Sequence, residues 1–134
     1  MSGETDLKKL LKSMQPELNA GEYVFCMLDS STQLADVTTL GFFREREGVT
    51  AILPQADADK AGLSYAGTFA WLTLTVHSSL EAVGLTAAFS RALAEAGISC
   101  NVVAASYHDH LFVPVADAER ALAALRTLSE QAGL

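Results

Sequence analysis

Tyr107-His108-Asp109-His110 is the stretch richest in reactive side chains. Two imidazoles and a carboxylate within four residues are ligand types for Zn²⁺, and imidazoles also titrate near neutrality. A zinc site needs a third or fourth ligand, and the sequence holds 3 histidines in all, the other being His77. Asp and His favour tight turns, and a turn over 107–110 carries the two rings off a common face. The reading is therefore a hairpin turn with no metal. The second candidate is the segment from Ser78 and Ser79 to Val83, Gly84 and Leu85. Gly84 permits a tight backbone path where a helix begins. The bare N–H groups of a helix start suit a carboxylate, and the macrodipole adds attraction. The two serine hydroxyls bond either a carboxylate or an ammonium group. A plain capping loop, with Ser79 or Thr86 satisfying the backbone, accounts for the same residues. Asn101, between Cys100 and Val102, carries an amide that needs a partner, either a ligand or a neighbouring strand.

No catalytic pattern stands beside these. There is no nucleophile elbow, phosphate loop or zinc signature, so no enzyme activity and no cofactor are expected. The 134 residues carry 16 acidic and 9 basic side chains, a formal charge of -7. That balance repels nucleic-acid phosphate and anionic lipid on average. Half of the chain is hydrophobic, enough for a buried core without staples. Cys26 and Cys100 each lie in an apolar run, as expected of free thiols in a cytoplasmic protein. The opening MSGETDLKKLLKSM has no unbroken apolar core, so no signal peptide is expected, and no run is long enough to span a bilayer.

The elements that position these residues follow from periodicity. Leu7, Leu10, Leu11 and Met14 predict a helix that ends before Pro16, and Tyr23–Leu28 predicts a strand. A hairpin is expected over Leu40–Arg46 and Val49–Leu53, then a short helix from Gln55. Phe69–His77 alternates as a strand. Leu85, Phe89 and Leu93 form a helical stripe ended by Gly97. A strand over Ile98–Ala105, a return strand from Leu111 and a last helix with Ala121, Leu122, Leu125 and Leu128 complete the order. Helices interspersed with a mostly antiparallel sheet imply an α+β, ferredoxin-like two-layer sandwich.

The stretch LTLTVHSSLEAVGLTAAFSRALAEAGISCNVVAASYHDHLFVPVADAERALAAL, with Val83-Gly84-Leu85 opening a helix and Ala96-Gly97-Ile98 leading into a strand, resembles an ACT domain. ACT domains are the small regulatory modules of amino-acid metabolism. With the opening DLKKLLKSMQPELNAGEYVFCML, the whole chain is similar to a small bacterial family of tandem ACT-domain proteins of unassigned function, and the stretch from GVTAILP through HLFVPVADAERALAAL resembles the ACT repeats of cytosolic arginine sensors. The resemblance implies tandem ACT-like modules with mostly antiparallel sheets, divided as residues 1–66 and 67–134. It implies a non-catalytic regulatory protein binding an amino acid or similar small ligand at Ser78, Ser79, Val83, Gly84, Leu85, Asn101 and Val102. Many ACT domains carry an aspartate where this chain has His77-Ser78-Ser79. The closing strand of the second module is missing after Leu128, so Tyr23–Leu28 or a partner chain is expected to fill its place, with a homodimer as one outcome. A protein–protein interaction module without a small ligand is the alternative, and a metal-dependent enzyme built on the Tyr107–His110 turn the more remote one.

Overall fold

Pro16 stops the first helix, and the three residues that follow supply a strand rather than a loop. In the computed structural model, which describes residues 6–75 and 84–132, the elements are α1 (Leu7–Ser13), β1 (Pro16–Leu18), β2 (Tyr23–Leu28), α2 (Ser31–Leu34), β3 (Gly41–Arg44), β4 (Val49–Pro54), α3 (Gln55–Lys60), β5 (Phe69–Leu74), α4 (Leu85–Glu95), β6 (Asn101–Ala104), β7 (Asp109–Pro114), a 3-10 turn over Val115–Asp117 and α5 (Ala118–Ala132). Packing gathers them into two units, Met1–Asn19 with Ala70–Leu134, and Ala20–Phe69.

The first unit orders its strands β1-β5-β7-β6. β1 lies antiparallel to β5, with Pro16, Glu17 and Leu18 opposite Leu74, Thr73 and Leu72. The strand along Leu72–Leu74 is thus Pro16–Leu18, whereas Tyr23–Leu28, expected there, meets β5 through Tyr23 opposite Phe69. A short strand headed by proline suits a sheet edge, where a missing N–H costs no ladder bond. The linear division between residues 66 and 67 differs from this packing, because the first nineteen residues complete the sheet of the second half. Helices α1, α4 and α5 bury one stripe each. Leu10, Leu11 and Met14, Leu85, Phe89 and Leu93, and Ala121, Leu122 and Leu125 form one core with Leu72, Leu74, Leu111 and Val113. Each large side chain so buried contributes about 1.5–3 kcal/mol. Asp6 caps α1, its Oδ1 accepting from Lys9 N–H at 3.2 Å. Ile98 N–H donates to Leu93 C=O at 2.9 Å, which finishes α4 and delays the next strand to Asn101.

In the second unit β4 lies between β3 and β2, antiparallel to both. Strict alternation in Val49–Pro54 sends Val49, Ala51 and Leu53 into a core with Val24, Cys26, Leu28 and Ala58. The β3–β4 turn needs a glycine. Gly48 has φ +153°, and a Cβ there would stand 2.5 Å from Leu28 C=O. A 4-residue helix, α2, links β2 to the hairpin. Both cysteines are free, and burial pushes both thiols above their usual pKa. No helix among the described residues is long and apolar enough to cross a membrane.

Candidate functional site

The start of α4 is held by a glycine that no other residue replaces without strain. Gly84 is the N-cap, with φ +97° and ψ -14°, and it offers no side-chain cap. Its carbonyl accepts from Ala88 N–H at 2.9 Å. Helical geometry leaves the first-turn N–H groups ahead of Ala88 without intrahelical acceptors. A Cβ at Gly84 would lie 3.1 Å from Leu7 Cδ2, so α1 backs this turn closely. Among the described residues, the arrangement is a helix start without a side-chain cap, able to receive an anionic group. Leu85 is 3 % exposed and its side chain belongs to the core, so only its backbone faces that end.

Of the other sequence-derived positions, Ser78, Ser79 and Val83, with His77, lie outside the described residues. Val102 packs against the same core as Leu85. Asn101 pairs with Phe112, whereas Val102 pairs with the core residue Leu111. Opposite residues in an antiparallel pair share a face, and successive residues alternate. Asn101 therefore stands on the sheet face turned away from α4. Side-chain alternation separates it from the helix start, whereas Leu85 and Val102 come together.

That other face carries a hydrogen-bonded cluster. Asn19 Nδ2 donates to Thr73 Oγ1 at 2.9 Å and to Trp71 C=O at 3.2 Å. Trp71 Nε1–H donates to His110 Nδ1 at 3.0 Å, and Thr73 Oγ1 lies 3.2 Å from the same nitrogen. An indole nitrogen only donates, so His110 Nδ1 is the acceptor and the neutral ring holds its proton on Nε2. Trp71 also stacks on Phe112, with centroids 6.5 Å apart. None of the four side chains Asn19, Trp71, Thr73 and His110 was singled out as a site by residue type or spacing except His110, in the Tyr107–His110 stretch. The period of two in Phe69–Leu74 placed Trp71 and Thr73 on one face, but nothing in the sequence tied Asn19 to them.

The Tyr107–His110 stretch corrects the expected turn. β7 already begins at Asp109, so only Tyr107 and His108 of this stretch precede the strand. Extended backbone brings the His108 and His110 rings to 6.3 Å between centroids, edge to face. His108 Nδ1 is buried without a hydrogen-bond partner among the described residues. No group of three His, Cys, Asp or Glu able to hold a metal occurs among them either. Asp109 is 7 % exposed, and burial raises its carboxyl pKa against the opposing pull of His110 and His108.

Burial, then the neighbouring His108, lowers the pKa of His110, with Asp109 opposing. A group whose folded pKa is depressed leaves its proton to the unfolded chain. Its stabilising contribution is present above the unfolded histidine value of about 6.5 and is lost as pH falls below it. The Tm of the wild type is expected to fall from pH 7 toward pH 5 more steeply than that of His110→Gln. Equal slopes in the two proteins would show that His110 does not drive the change.

Comparison with known proteins gives a consistent picture. Residues 2–70 match one family model described as ACT domain, and residues 68–127 match a second of the same description. No curated protein matches. A Vibrio cholerae protein of unknown function, its crystal structure titled a possible transport protein, is 48% identical; the match covers 93% of this chain and 97% of that one, with a TM-score of 0.85. An Agrobacterium tumefaciens protein is 17% identical, covering 87% of this chain and 89% of its own, at a TM-score of 0.70. The ligand-free regulatory subunit of aspartate kinase from Thermus thermophilus shares the fold at 12% identity, covering 88% and 97%, at a TM-score of 0.69.

Proposed function

The chain belongs to the ACT-domain family, with two such domains in tandem, and from that premise we propose that it is a non-catalytic regulatory protein that binds a free amino acid or similar zwitterion at the start of α4. The observation that carries the reading is the first turn of α4, to which its N-cap Gly84 gives no side-chain cap. Its N–H groups and the helix macrodipole receive the carboxylate. Ser78 and Ser79 supply hydroxyls for the ammonium or the carboxylate, and Val83 lines the side-chain pocket. Leu85 contributes its backbone N–H, and Val102 supports the site from the core. Asn101 takes no part, since it stands on the opposite sheet face.

Calorimetry with the full chain and each common amino acid is expected to find one that binds at millimolar concentration or better. The double variant Ser78→Ala/Ser79→Ala is expected to weaken that binding at least tenfold, the scale of one lost hydrogen bond to a charged group at about 1.5–3 kcal/mol. Gly84→Val is a poor probe, because positive φ and the contact with Leu7 would strain the fold itself. If no amino acid binds, an interaction module without a small ligand replaces this reading. Binding that survives the double variant unchanged would place the ligand elsewhere.

A further inference from the structure

His110 Nδ1 lies between two groups with opposite demands. Trp71 Nε1–H, 3.0 Å away, needs an acceptor, because an indole nitrogen only donates. Thr73 Oγ1, 3.2 Å from the same ring nitrogen, can donate or accept. It already accepts from Asn19 Nδ2 at 2.9 Å, and a hydroxyl oxygen keeps a second lone pair. A neutral ring with a bare Nδ1 therefore suits Trp71. A charged ring carries hydrogen on both nitrogens and accepts from neither neighbour.

We propose that this cluster is a pH-sensitive latch on Trp71, in which uptake of one proton by His110 moves the Nδ1 hydrogen bond from the indole to the Thr73 hydroxyl. The proton comes from water and stays on Nδ1. Nδ1–H then donates to Thr73 Oγ1, which goes on accepting from Asn19. The bond between Trp71 and His110 is lost, because two N–H groups now face each other. Asn19 keeps its place, since its backbone N–H and its Nδ2 both donate to Trp71 C=O, at 2.9 and 3.2 Å. The latch thus acts on the indole and leaves the join of β1 to β5 intact. Trp71 is stacked on Phe112, so its release from His110 alters the aromatic pair on this sheet face.

The groups around the ring set the pH at which the latch opens. On β7, the His108 ring stands edge to face at 6.3 Å, and Asp109 is the adjoining residue. Val103 lies opposite on β6, and neither Asn101–Ala104 nor Phe69–Leu74 of β5 holds a charged residue. On β1, Glu17 lies opposite Thr73 and is exposed. Tyr107, ahead of β7, is 72% exposed. Burial and the second imidazole disfavour the added proton on His110, and Asp109 favours it. Opening therefore falls below the ordinary histidine value of about 6.5. Thr73 is 7% exposed, so little water competes for the new bond.

The one tryptophan gives one indole N–H resonance. In nitrogen–proton correlation NMR of the full chain, between about pH 7.5 and 4.5, that resonance is expected to move upfield in a single step. Its midpoint is expected below about 6.5, with far-UV circular dichroism unchanged. His110→Gln is expected to abolish the step. His108→Gln removes the neighbouring imidazole and raises the midpoint. Thr73→Val removes the acceptor of the charged ring and lowers the midpoint by about one pH unit, the scale of a hydrogen bond to a charged group. Thr73→Ser restores it. A stationary resonance in wild type, a step that persists in His110→Gln, a midpoint unmoved by His108→Gln or Thr73→Val, or loss of the far-UV signal before the indole moves overturns the proposal. None of these outcomes bears on amino-acid binding at α4.

Discussion

A chain that begins at Ala20 is expected to lose the fold of the first unit outright. The deletion removes Leu10, Leu11 and Met14, which are 1%, 9% and 1% exposed, from the core shared by α4 and α5. At about 1.5–3 kcal/mol each, their burial alone amounts to roughly 5–9 kcal/mol. That is comparable to the whole stability of an ordinary domain, about 5–15 kcal/mol. The deletion also bares the backbone of Leu72–Leu74 along the edge that β1 covers, and takes Asn19 away from Thr73. Trp71 is the one tryptophan and belongs to this unit, so its fluorescence reports on the unit alone. A cooperative Trp71 transition retained in the truncated chain would show that α1 and β1 are dispensable.

Leu93→Ala is expected to destabilise the full chain by about 2–5 kcal/mol, as truncation of a fully buried leucine does. Leu93 is 0% exposed, lies in the last turn of α4 and shares its core with Phe89, Leu111 and Leu125. The cost combines lost transfer energy with the cavity left where rigid neighbours cannot close in. Urea unfolding followed by Trp71 fluorescence measures it. A change within about half a kcal/mol, the range of surface substitutions, would remove Leu93 from the core.

Periodicity made most of the fold legible. The leucine stripes of α1, α4 and α5 and the alternation of β2, β4 and β5 are local consequences of burying one face. β1 escaped because its three residues, Pro16, Glu17 and Leu18, have no period of their own, and they are strand only by pairing with β5. The Tyr107–His110 stretch misled because residue preference marks a turn without fixing where the hairpin closes, and Asp109 is drawn into the ladder opposite Ala104. At the candidate site, the glycine at the helix start was readable from the sequence. The position of Asn101 was not, since only the register tells which face a strand residue takes. The cluster of Asn19, Trp71, Thr73 and His110 joins residues up to 91 apart in number, and no spacing rule reaches so far.

The place taken by β1 makes the first unit a circular permutant of the usual strand order. Its fourth strand comes first along the chain, and an entire second unit is inserted before its first. On the ribosome, the segment Pro16–Leu18 emerges long before anything it pairs with. At about 5–20 residues per second, on the order of ten seconds separate it from the last turns of α5, where Ser129 Oγ donates to Lys12 C=O across 117 positions. During that interval Leu10, Leu11 and Met14 have no core to enter, while residues 20–69 already hold all the strands of their own sheet. Folding in the cell should therefore run from the middle of the chain outward, with its two ends the last to meet.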